Sequence, residues 1–468
     1  MSDEERRDAE EREAERRRLR EEEQAAPPPP MQPEADAESL GESHLLERLV
    51  ELFRRDSVRQ RVLGPMGFDA AILITNLITG IIVARALGPD GRGELAATLL
   101  ITQITAWVFG MGVSEAVAYH QARKPEDAPR LMTTWLLMTG PFMLVGFLVA
   151  QLLLPVIFAA QTEEAIDLAR IYLLVIPLIS LQQIFGGVLL GDHDFHFYNL
   201  TRFLYPAAAA LIYAAYLLFD AFSVETALVA NAVALAIAVL IAARRAIVRH
   251  GLGRFDKPLM RSTLTYGIKA HGGSTAALVN ARLDLLIMPA FLAAADVGLY
   301  SVATNVATII PTLTGTIALM ALPVAARRGG SPRTVLITLQ TTVGLALAMA
   351  IPLAILAPWL LELVYGEEFG AAADALRMLL PGTVFAAASS TLYAGLLAAD
   401  KPLLVSVGAG TAAVFTVVGL IAFLPIGGIV AAASVTSFAF GVGLVILLTL
   451  YKRTVGISWK HFLRPPAA

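Results

Sequence analysis

The sequence predicts an all-α membrane protein of about twelve spans, arranged as two parallel six-helix lobes with both ends in the cytoplasm. Three observations carry this. Hydrophobic residues make up 56% of the 468 positions and charged residues 16%, and the mean hydropathy is +0.65. That is too apolar for an ordinary soluble protein. Beyond Leu63 the chain reads as apolar runs separated by short polar loops, each run long enough to cross a hydrocarbon layer of ~30 Å. The third observation is repetition at one displacement of 207 positions. Asp167-Leu-Ala-Arg170 reappears as Asp374-Ala-Leu-Arg377, Val188-Leu-Leu-Gly191 as Gly395-Leu-Leu-Ala398, and Gly91 matches Gly298. A displacement held across a half points to duplication, and in membrane proteins two similar halves commonly enclose a substrate path.

The elements follow in order. Residues 1–42 read as a charged, disordered cytoplasmic tail: the first 24 are almost all Glu, Asp, Arg and Ala, and Pro27 to Pro30 break any helix. Residues 43–65 read as an amphipathic juxtamembrane helix. Leu45, Leu46, Leu49, Val50, Leu52 and Phe53 recur at helical spacing among Arg48, Arg54, Arg55, Arg59 and Arg61, which suits an anionic membrane face. A solvated helical linker is the alternative. No cleavable signal peptide is visible, so the first span is expected to serve as its own insertion signal.

Twelve spans are expected near 66–88, 94–119, 131–160, 165–190, 200–220, 224–243, 263–289, 297–323, 334–364, 371–398, 402–424 and 428–451. They make an N-terminal lobe over 66–250 and a C-terminal lobe over 263–451, joined by a basic linker at 251–262 and followed by a tail at 452–468. Loop charge sets the orientation. Arg123, Lys124 and Arg130 follow the second span; Arg244, Arg245, Arg249, Arg254, Lys257 and Arg261 follow the sixth; Arg327, Arg328 and Arg333 follow the eighth. These loops are cytoplasmic. The opposite loops are acidic or neutral, with Glu163, Glu164, Asp220, Glu225, Asp296, Glu367 and Glu368, and Arg92 is the one clear basic exception.

Charges inside a bilayer cost roughly 2.5–3.5 kcal/mol each on insertion scales, so each needs a reason. The seventh span is the richest, running from Tyr266 through Lys269, His271, Gly272, Gly273, Thr275 and Asn280 to Arg282 and Asp284. At about 100° per residue, Lys269, Gly273, Asn280 and Asp284 share one face, while His271, Thr275 and Arg282 share the opposite one. Arg282 and Asp284 therefore cannot pair with each other on one helix. One face is expected on an aqueous cavity, where Arg282, with Lys269 or His271, meets an anionic group through a bidentate fork. Structural pairing of Arg282 and Asp284 across helix interfaces, and snorkelling of Lys269, stay open. By the 207 displacement the first-half equivalents are Thr75 and Leu77, so the charge is not shared by both lobes.

Asp69 and Glu115 are candidates for ion coupling, though Asp69 also suits a helix cap and Glu115 a pairing with Arg123 or Arg202. Asp167 with Arg170, and Asp374 with Arg377, read as cap and snorkel pairs at outer helix starts. His193, Asp194 and His196 resemble a ligand cluster but lie in a short loop, so no metal site is expected. The chain has no cysteine and no P-loop, so neither thiolate chemistry nor ATP hydrolysis is expected of it. With no loop large enough to house a catalytic domain, an enzyme is not expected, nor a cofactor, nor a nucleic-acid partner.

Several stretches resemble the polysaccharide biosynthesis protein family, the lipid-linked oligosaccharide flippases of the superfamily that also holds MATE-type antiporters. They are Ile82-Val-Ala-Arg85-Ala-Leu-Gly88-Pro89-Asp90-Gly-Arg-Gly93, Gly110-Met-Gly112-Val-Ser-Glu-Ala116, Asn280-Ala-Arg282-Leu-Asp284, Val297-Gly298-Leu-Tyr300-Ser-Val-Ala303 and Leu322-Pro323. The resemblance covers about 66–451. It implies structural roles for Arg85, Gly88, Pro89, Gly298, Tyr300 and Pro323. It also implies two lobes that alternate access around a cationic cavity, carrying an undecaprenyl-pyrophosphate-linked glycan to the outer leaflet of a bacterial cytoplasmic membrane for surface polysaccharide export. The expected partners are that lipid-linked oligosaccharide, membrane lipids and, through the tail, a polymerase or glycosyltransferases. A drug/cation antiporter of the same fold and a transport-dead scaffold for polysaccharide assembly are the alternatives.

Overall fold

The computed structural model describes residues 64–280, 282–315, 332–399 and 401–463. The expected tail at 1–42, nearly all of the helix expected at 43–65, and Pro323, Arg327 and Arg328 lie outside these residues. Among the described residues, nine helices are long and apolar enough to cross a membrane. Two are too long for one crossing. Gly67–Phe109 has 43 residues and Leu403–Val455 has 53, against a need of about 20 per crossing. Each breaks at a glycine with left-handed φ, Gly88 (64°) and Gly428 (55°). A side chain there would be strained, and Pro89 after Gly88 lacks the N–H to continue the ladder.

Both helices are therefore pairs of spans, and nine becomes eleven. The twelfth is the polar seventh span, Lys257–Asn280 continued by Leu283–Ile287. In order, spans 1 and 2 are the two arms of Gly64–Phe109, and span 2 continues as Val113–Arg123 beyond a break where Met111 and Gly112 have φ of 50° and 70°. Span 3 is Pro125–Ile157, span 4 Glu163–Gly191, span 5 Phe195–Leu218 and span 6 Val224–His250. Spans 8, 9 and 10 are Ala294–Gly315, Pro332–Tyr365 and Glu367–Ala398, and spans 11 and 12 are the arms of Pro402–Val455. The helix that contains the seventh span starts at Lys257, inside the stretch 251–262 expected as a linker.

Large apolar side chains lie open on the outside of the bundle, among them Leu152 (78% exposed), Leu211 (74%) and Ile426 (84%). Such a belt suits hydrocarbon rather than water. Inside, small residues let helices approach, as expected where packing rather than hydrophobicity drives association. One buried cluster crosses between the lobes, joining Ala97 and Ile101 of span 2 to Tyr300, Ala303 and Ala307 of span 8.

The duplication shows in the geometry. Arg170 pairs with Asp167 at 2.8 Å and Arg377 with Asp374 at 2.9 Å, both across one helical turn on exposed surface. At the lobe crossing the register differs from 207. A Cβ on Gly93 would lie 1.8 Å from the Ala294 carbonyl oxygen, and one on Gly298 would lie 1.9 Å from that of Pro89. These contacts are reciprocal, since Gly93 and Gly298, like Pro89 and Ala294, stand 205 apart. The counterpart of Gly298 is thus Gly93, not Gly91. A single matched glycine is too little to set register; a reciprocal pair of close backbones does.

Candidate functional site

A cavity of about 760 Å³ lies between the lobes. Its N-lobe wall comes from spans 1, 2, 5 and 6, and its C-lobe wall from spans 7, 8 and 9. Most of its polar lining is uncharged: Asn76 and Thr79 on span 1, Asn305, Thr308 and Thr312 on span 8. Three tyrosines, Tyr205, Tyr213 and Tyr365, join them. Two of these are fastened: Tyr205 donates to Asn231 Oδ1 at 2.9 Å, and the Asn231 amide donates to Tyr213 and to the Ala227 carbonyl. A wall held this way offers hydroxyl and amide groups at fixed positions.

Among the described residues, the only charged side chains lining the cavity are two arginines, Arg92 from the N-lobe and Arg282 from the C-lobe, and no carboxylate lines it. Arg92 lies among Tyr213 and Tyr365, and its Nε is buried without a hydrogen-bond partner. A buried guanidinium N–H left unmatched is costly, and the Arg92 side chain that carries it lines the cavity. Arg282 is half-buried and, among the described residues, has no ion-pair partner.

The break in span 7 brings Arg282 there. Arg282 leaves the helical region (φ −134°, ψ 9°), and a short helix restarts at Leu283. The count of 100° per residue therefore stops at residue 280, and the two faces drawn across the whole span do not extend to Arg282 and Asp284. Asp284 turns instead into the C-lobe core, only 6% exposed, where Tyr300 donates to it at 2.6 Å and the Leu285 N–H at 2.8 Å. It does not line the cavity. Asp284→Ala is expected to cost about 1–3 kcal/mol by stranding the Tyr300 hydroxyl, read as a lowered unfolding midpoint in detergent.

The first part of span 7 packs on the N-lobe. His271 donates from Nε2 to the Trp107 carbonyl at 2.8 Å, and Tyr266 stacks on Tyr119 at 4.1 Å. A Cβ on Gly112 would lie 2.3 Å from the Gly267 carbonyl oxygen, so the backbones touch. His271 is buried in this contact and Lys269 is exposed outside the cavity. The structure thus brings Arg282 alone of the four span-7 candidates to the cavity.

The remaining candidates lie elsewhere. Asp69 pairs with Arg202 at 3.1 Å on the cytoplasmic side, while Glu115 sits in the first turn after the span 2 break, outside the cavity lining. Asp194 caps span 5 and pairs with Arg245 at 2.9 Å. Arg85 reaches across to span 9, Gly88 and Pro89 form the first turn, Gly298 makes the lobe crossing and Tyr300 holds Asp284. Sequence reasoning took Arg92 for an exception in an outer loop. Its isolation among acidic loops was the available signal, since a cation that breaks the charge rule needs another reason for its place.

This fold, two six-span lobes around a central cavity, is that of the MOP transporter superfamily. The chain belongs to the polysaccharide biosynthesis protein family, whose model matches residues 82–374, more than half of it. No curated protein sequence matches. Among solved structures, the lipid II flippase MurJ in its inward closed conformation is similar at a TM-score of 0.73 and 15% identity, over 85% of this chain and 89% of that one. A multidrug resistance MATE family transporter in its inward-facing conformation is similar at 0.64 and 16%, over 83% and 96%. A MOP superfamily transporter from Pyrococcus furiosus, described as having a binding pocket of reversed polarity, is similar at 0.52 and 15%, over 84% and 95%.

Proposed function

We propose that the chain is a flippase that moves a lipid-linked oligosaccharide of the undecaprenyl-pyrophosphate type from the cytoplasmic to the outer leaflet of a bacterial cytoplasmic membrane, for surface polysaccharide export. The observation that carries this is the cavity with one arginine from each lobe and, among the described residues, no carboxylate. An anion bridging Arg92 and Arg282 would draw the lobes onto itself, and a pyrophosphate offers enough oxygens for two guanidinium forks. The asparagines, threonines and tyrosines around them suit sugar hydroxyls. Membership of a polysaccharide biosynthesis family supports the same reading. Alternating access follows from two lobes related by duplication and joined at crossing helices. The charged tail at 1–42 is then a docking segment for a polymerase or glycosyltransferases.

The test is outer-leaflet exposure of a labelled undecaprenyl-pyrophosphate glycan in proteoliposomes, with full-length and 43–468 chains. Transfer by both is expected. Transfer of a cationic drug with no transfer of several such glycans would replace this reading by the antiporter. Loss of glycan transfer only on truncation would point to the tail as part of the machine.

A further inference from the structure

We infer that the outer mouth of the cavity is shut by two clasps between counterpart pairs of spans, and that Arg85 is the positioning residue of the stronger one. Arg85 stands near the outer end of span 1, in the N-lobe. Its Nε donates to the Val364 carbonyl at 2.8 Å and its Nη2 to the Leu363 carbonyl, the last turn of span 9 in the C-lobe. Carbonyls in the last turn of a helix have no partner within it and carry the negative end of the helix dipole. A guanidinium holding two of them ties the lobes together at the outer end of span 9.

The second clasp lies across the pseudo-axis. Gln161, just past the end of span 3 in the N-lobe, donates from Nε2 to the Pro289 carbonyl at 3.1 Å and the Leu292 carbonyl at 2.7 Å, at the outer end of span 7. The Ala160 N–H adds a third bond to Pro289 at 3.2 Å. Spans 1 and 7 are counterparts, as are 3 and 9. The clasps thus join counterpart pairs of spans, 1 to 9 and 7 to 3, although the N-lobe supplies the donor side chain in both. In both, a side chain of one lobe holds helix-end carbonyls of the other.

The charged clasp is also wired to the cavity. Tyr365 follows Leu363 and Val364 in the chain, and its ring lines the cavity beside Arg92. An anion settling on Arg92 shifts the residue next to the two clasped carbonyls. Opening outward then requires Arg85 to let go. The inference rests on the proposed cavity for what is enclosed, but its test reads access rather than transport.

The chain has no cysteine, so a single Thr308→Cys in the cavity wall can report access. A membrane-impermeant maleimide is added to the outer side of right-side-out vesicles holding the full chain. Labelling is expected to be slow in this background and about tenfold faster with Arg85→Ala, since two charge-assisted bonds are lost. Arg85→Lys, with one charge centre and no fork, should fall between, and Gln161→Ala should give a smaller rise. Fast labelling in the parent, or unchanged rates in a folded Arg85→Ala chain, overturns the inference. If Arg85→Ala does not fold, unchanged rates in Arg85→Lys and Gln161→Ala overturn it equally. A faster label with no glycan transfer by the unsubstituted chain would leave the lock standing and remove the flippase reading; transfer without any rate change would do the reverse.

Discussion

Arg92→Met and Arg282→Met together are expected to abolish glycan transfer while leaving the protein at least as stable as before. Each arginine offers charge-assisted hydrogen bonds of about 1.5–3 kcal/mol to a bound anion. Every 1.4 kcal/mol is tenfold in affinity, so each single change should weaken binding of a pyrophosphate lipid by about 10–100-fold. The stability half of the expectation separates this role from a structural one. Arg92 Nε is buried without a partner in the protein, so removing the charge relieves desolvation instead of breaking a bond. A binding titration and an unfolding midpoint measured on the same preparations decide it. A fall in stability with unchanged binding would make the arginines structural and leave the cavity without its anion site.

Gly298→Val is expected to be the most damaging single substitution at the lobe crossing. The added Cβ would lie 1.9 Å from the Pro89 carbonyl oxygen and 3.0 Å from the Gly93 nitrogen. Those are backbone atoms of a turn already set by Gly88 at φ 64°, so neither can yield as a flexible side chain would. Overpacking of this kind costs typically 1–3 kcal/mol and can exceed it when backbone must move. Gly93→Val should behave alike, since its Cβ would lie 1.8 Å from the Ala294 carbonyl oxygen. By contrast Gly140→Ala, on span 3 with nothing within 4 Å of its Cβ, should be tolerated. Thermal unfolding of the three variants in one detergent checks the order. Equal midpoints would mean that the lobes do not depend on this crossing.

Much of this was legible in the residues. Apolar run length gave the twelve spans, because crossing a hydrocarbon layer imposes a minimum on every segment and local composition records it. The repeated Asp-Arg pairs at 167–170 and 374–377 reported the duplication, and both pairs form in the structure. The seventh span announced itself by its polar residues, and Arg282 was legible as one that needed an anion or a partner. What was not legible is where those residues turn. Helical periodicity assumes an unbroken helix, and the break at Arg282 voids the assumption at the very residues that mattered. Lys269, His271 and Asp284 looked like companions of Arg282, yet one is exposed, one joins the lobes and one is buried with Tyr300.

By itself, then, the sequence determined the class of protein, the number of its crossings and its two-fold descent, because these follow from hydrophobicity and repetition along the chain. Only the tertiary structure decided which cations share a cavity. Arg92 and Arg282 are 190 positions apart, on spans of different lobes, and nothing local pairs them. They face one cavity because Gly93 and Gly298 let two helices cross in backbone contact and because span 7 bends where it reaches the cavity wall. Close approach between distant segments is a property of the packed molecule, and a linear string does not carry it.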